Sequence, residues 1–78
     1  MSSSLSAQKV ASDFLKASGL VVDFHVPASI TNIIYGHGKH DKHHESCLKD
    51  MRTYLRLESV KLEEDQLLEL VNLTRAAL

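Results

Sequence analysis

Apolar residues recur along most of this chain at the spacing of a helix. Leu5, Val10, Phe14 and Leu15 follow a serine-rich start, and Gly19 suits a helix end. The spacing predicts a first helix over about residues 5–18. Leu20 to Val26 reads differently. Val22, Phe24 and Val26 alternate with Asp23 and His25 in a run rich in β-formers, so a strand or an extended segment crossing the core is expected at 20–26. Pro27 favours extended backbone at Val26.

Ile30, Ile33 and Ile34 then fit one face of a short helix, with Ser29 as a cap and Gly36 as its end. β-branching keeps a strand in competition there. Residues 36–45, rich in His, Gly and Lys and without an apolar side chain, read as a flexible loop. Ser46 suits the cap of a third helix over about 46–57, striped by Leu48, Met51 and Leu55. Residues 57–62 fit a turn, a helical continuation or a short strand. Glu63, Glu64 and Asp65 place negative charge at the start of a final helix over about 63–77. No internal repeat is legible. The fold expected is mainly α, a bundle of three or four helices, with a small α+β arrangement as the alternative if 20–26 is a strand.

The final helix carries more apolar surface than one stripe. Leu67, Leu70, Val71 and Leu78 share a side, while Leu68 and Leu73 extend it. A surface helix needs an apolar arc of only about 100° or slightly more. A chain of 78 residues has one domain and a thin core with which to cover the excess. The expectation is therefore an interaction surface formed by Leu67, Leu68, Leu70, Val71, Leu73 and Leu78, met by a protein partner or by a second copy in a homodimer.

Charge changes this picture slightly. Nine Lys and Arg oppose ten Asp and Glu, so no global field favours nucleic acid or a membrane surface. The signs are nevertheless segregated. Lys49, Arg52 and Arg56 fall on one face of the third helix, and acids gather near the start of the fourth. Such patches suit a protein partner. A small nucleic-acid-binding regulator using the basic face is an alternative.

Candidate chemistry lies in the histidines. His37, His40, His43 and His44 fall within eight residues, followed by Cys47, the only cysteine. On a helix, His40 and His44 would share one face and His43 and Cys47 another. Imidazole and thiolate suit zinc, and imidazole also copper or nickel, so a metal-binding regulatory role for His40, His43, His44 and Cys47 is a second alternative. Interleaved Lys39, Asp41, Lys42 and Glu45 favour a solvated segment instead, without a cofactor. No catalytic machinery is expected, because a lone Cys–His pairing lacks an orienting group and a formed cleft. The lone thiol, the lack of a basic leader pattern at the start and the lack of a spanning run suit a cytoplasmic or nuclear setting, away from membranes. The sequence thus suggests a non-enzymatic adaptor or accessory subunit.

Overall fold

Each half of the chain is a helix, a tight turn and a second helix. In the computed structural model, which describes residues 3–38 and 44–78, these are α1 (Ser3–Ala17), α2 (His25–Gly36), α3 (His44–Leu57) and α4 (Glu64–Ala76). No strand occurs among the described residues. α1 packs most extensively, on α2 and α4. α2 also touches α3 and α4, and the α3–α4 contact is slight.

The turns explain how so short a chain closes. α1 ends at Gly19, held at φ 80°. The Gly19 N–H donates to the Lys16 carbonyl and the Leu20 N–H to the Leu15 carbonyl, both at 3.0 Å. α3 ends the same way. Ser59 sits at φ 59°. Its N–H donates to Arg56 at 3.1 Å, and the Val60 N–H donates to Leu55 at 2.9 Å. Both are Schellman motifs, in which a left-handed residue aims two N–H groups at the last helical carbonyls. Each also folds an apolar residue, Leu20 or Val60, back towards the core.

The second helix of each half starts by a different device. α2 takes Pro27 into its first turn, where the missing N–H has no helical partner to lose. Thr31 Oγ1, buried, donates to the Pro27 carbonyl at 2.9 Å. At α4, Gln66 Oε1 accepts from the Glu63 N–H at 2.9 Å, reaching back over the cap as in a capping box.

One core joins all four helices: Ala11 and Leu15 from α1, Val26, Ile30 and Ile34 from α2, Cys47, Leu48, Met51 and Leu55 from α3, and Leu67, Leu70 and Val71 from α4. Its positions reveal a repeat that side-chain identities conceal. Many residues 40 apart play the same part. Buried Ala7, Ala11 and Leu15 correspond to buried Cys47, Met51 and Leu55. Buried Pro27, Ile30, Thr31 and Ile34 correspond to buried Leu67, Leu70, Val71 and Thr74. Gly19 corresponds to Ser59. Few side chains recur unchanged, Lys9, Leu15 and Asn32 as Lys49, Leu55 and Asn72 among them, so the repeat is one of burial and turn geometry.

Other expectations need correction. The segment 20–26 is not a strand. Residues 20–23 form an irregular turn, and His25 and Val26 already belong to α2. The expected common face of Val22, Phe24 and Val26 is broken as well. Val26 is buried and Val22 packs on the core, whereas Phe24 points outward at 94% exposure. Helical geometry from Phe24 onward replaces the alternation with period 3.6. Ser29 and Ser46 lie inside α2 and α3 and do not cap them. The expected loop over 36–45 is shorter, since Gly36 closes α2 and His44 and Glu45 open α3. Residues 39–43 lie outside the described residues.

The shared turn gives a paired test. A left-handed residue other than glycine costs about 1 kcal/mol or more. Ser59→Gly is expected to stabilise by about 1 kcal/mol, raising the melting temperature by roughly 4–8 °C. Gly19 has open space where a Cβ would stand, so Gly19→Ala is expected to destabilise through backbone strain alone, by about 1 kcal/mol. Thermal unfolding followed by circular dichroism reads both, and a loss of stability in Ser59→Gly would refute the assignment.

Candidate functional site

The leucines of α4 mostly face inward. Leu67 is 3% exposed, and Leu70 and Val71 are fully buried. The interaction surface expected from the sequence is corrected there, because α1 and α2 both lie against α4 and cover this stripe. Leu68 and Leu78 pack partly on the core. Leu73 remains, at 43% exposure.

The larger apolar exposure lies at the α1–α2 turn. Val21 is 100% exposed and Phe24 94%. Both line an open groove of about 500 Å³ between the turn and the outer side of α1. Leu20, Val22 and Pro27 contribute apolar wall, and Gln8, Ser12 and Lys16 contribute the α1 side. The local fold dictates this. Gly19 reverses the chain and Leu20 turns in, which leaves Val21 facing solvent. The sequence held a signal for this in its run of β-formers, read there as core.

The basic face of α3 is present but partly neutralised. Lys49, Arg52 and Arg56 are all exposed. Arg52 forks onto Glu64, Nε to Oε1 at 3.2 Å and a guanidinium nitrogen to Oε2 at 2.5 Å. The hydrogen bond from Arg52 holds the Glu64 carboxyl below the usual carboxylate range, and the Glu64 carboxylate raises Arg52. This contribution is present above the unfolded carboxyl's titration and fades as pH falls through Glu64's lowered value. An exposed pair of this kind is screened by water and salt.

Each described histidine joins α3 or its turn to a neighbour. His25 Nε2 lies 3.3 Å from Glu58 Oε2, and His37 Nε2 lies 2.8 Å from Asp50 Oδ2. His44 Nδ1 lies 3.2 Å from an Arg75 guanidinium nitrogen. Arginine only donates, so Nδ1 is the acceptor in this contact.

Arg75, only 9% exposed, also lies beside the Cys47 thiol. Burial pushes the Cys47 pKa up and outweighs the opposing guanidinium. Of the four expected metal ligands, His44 and Cys47 therefore meet around a cation. A divalent metal would have to displace Arg75 to use them. His40 and His43 lie outside the described residues. Among the described residues, no group of three or more His, Cys, Asp or Glu could hold a metal. Nor is any helix among them long and apolar enough to cross a membrane.

Comparison with family models, curated proteins and solved structures finds no match to this chain.

The thiol provides a direct check. Only the thiolate attacks an alkylating reagent. Cys47 is expected to resist iodoacetamide at neutral pH in the folded protein and to react fully in denaturant, read by intact mass. Labelling of the native chain at the denatured rate would show that the core is open there.

Proposed function

We propose that this chain is a non-enzymatic protein-interaction module, an adaptor or accessory subunit, whose docking surface is the apolar groove at the α1–α2 turn. The observation that carries this reading is the pair Val21 and Phe24, almost wholly exposed beside a concave apolar wall. Single exposed apolar residues are ordinary on protein surfaces. Two together at the edge of a groove form the kind of patch that marks contact sites. Aromatic side chains, phenylalanine among them, are enriched at the cores of interfaces. Leu73 of α4 offers a smaller second contact.

The basic face of α3 supports a nucleic-acid role less well, since Glu64 occupies Arg52. The His44–Cys47 pairing supports a metal role less well, since the Arg75 guanidinium contacts both. The groove needs neither charge excess nor cofactor.

Site-specific photocrosslinking tests the module reading. A photoreactive residue is placed at Val21, Phe24, Leu73 or, as a control, exposed Glu69, and the full chain is irradiated in its native source. Discrete adducts are expected from positions 21 and 24, weaker ones from 73, and background from 69. Adducts from 21 and 24 no stronger than from 69 would defeat the proposal.

A further inference from the structure

The two halves of the chain carry the same groove, and they have filled it differently. The second groove, about 440 Å³, lies between α3 and the α3–α4 turn. Every residue that lines it except Leu55 stands 40 positions on from one that lines the first. Ser12 and Lys16 of the first groove become Arg52 and Arg56. Val21 becomes Lys61, Asp23 becomes Glu63, and Phe24 becomes Glu64.

In the second groove the wall helix and the start of α4 satisfy each other, because Arg52 grips Glu64 across the gap. The first groove has no such closure. Its counterpart positions are Ser12 and Phe24, a small hydroxyl and an exposed ring. The basic character of the wall helix persists, however. Lys9 and Lys16 both line the first groove. Lys9 reaches Asp13 at 3.4 Å in an exposed pair on its own helix. No carboxylate pairs with Lys16 among the described residues. The carboxylate at the Glu64 position is thus missing from the first groove, where the Phe24 ring stands instead, and Asp23, the counterpart of Glu63, lines the groove without an ion pair to Lys9 or Lys16.

From this comparison we infer that the first groove takes an acidic amphipathic helix of a partner protein, with its apolar stripe on Val21 and Phe24 and its carboxylates towards Lys9 and Lys16. The inference rests on the interaction-module reading and names the partner class for that site. The spacing fits a helix. Lys9 and Lys16 lie seven residues apart on α1, about 10 Å along its axis. Carboxylates two turns apart on a helix lying alongside α1 have the same separation. Helix-in-groove recognition uses apolar anchors at i, i+3, i+4 and i+7 in this manner, and charge at the rim sets the preferred partner.

Fluorescence anisotropy with designed peptides tests it. The probe is a labelled amphipathic peptide of about 16 residues, leucine on one face and glutamate with alanine elsewhere. Its control has lysine in place of every glutamate. The full chain is expected to bind the acidic peptide about tenfold more tightly than the basic one, with the preference weakened by salt. Lys9→Glu with Lys16→Glu is expected to reverse the preference. Val21→Ala with Phe24→Ala is expected to weaken both peptides about tenfold while leaving the circular dichroism spectrum unchanged, because neither side chain is in the core. Equal binding of the two peptides, or an unchanged preference after the lysine reversals, would overturn the inference. If neither peptide binds while crosslinks from positions 21 and 24 still form, the partner class is wrong and the module reading stands. A crosslinked adduct of twice the chain's mass would identify a second copy as the occupant and also overturn it.

Discussion

Both halves of this bundle depend on one backbone constraint: a residue in left-handed conformation immediately after the first helix. Gly19 and Ser59 reverse the chain so that Leu20 and Val60 lie back over the helices they follow. Without that reversal, α2 and α4 could not return to the core within the few residues available. The same reversal decides what faces out. With Leu20 turned inward, Val21 faces solvent and Phe24 opens α2 from outside the core. The groove and its exposed anchors therefore follow from the geometry that closes the fold.

A second constraint operates where the core is least oily. Arg75 brings a cation to the junction of α3 and α4, beside His44 and Cys47. Burying a charge is costly unless polar neighbours compensate. The His44 nitrogen is one such neighbour. This polar joint occurs where the α3–α4 contact is slight, and the His25 and His37 contacts hold α3 to α2 on its other side. α3 thus adds specific polar contacts to the apolar packing of Cys47, Leu48, Met51 and Leu55, whereas α1 rests on apolar packing against two neighbours.

Much of the fold was legible in the sequence. The four helices are where the 3.6 periodicity of Leu5–Leu15, Ile30–Ile34, Leu48–Leu55 and Leu67–Val71 puts them. Two failures have physical causes. The run from Val22 to Val26 alternates like a strand, yet the αL turn at Gly19 and the early start of α2 gave those residues helical geometry from Phe24 onward. The 40-residue repeat was hidden because it lies in burial and turn shape, which tolerate exchanges such as Ala11 for Met51 or Gly19 for Ser59. The candidate site was the least legible part. Counting leucines on α4 pointed to a surface that α1 and α2 in fact cover. The exposed pair at Val21 and Phe24 could be recognised only once the direction of the turn was known.

The cross-groove contact between Arg52 and Glu64 has a consequence for how the molecule can change. Internal repeats that share an interior but not an exterior can vary one surface without disturbing the other. Here one half presents an ion pair across its groove, and the other presents a hydroxyl and an aromatic ring at the counterpart positions. A single backbone plan thereby carries two exteriors of unlike chemistry on one small body.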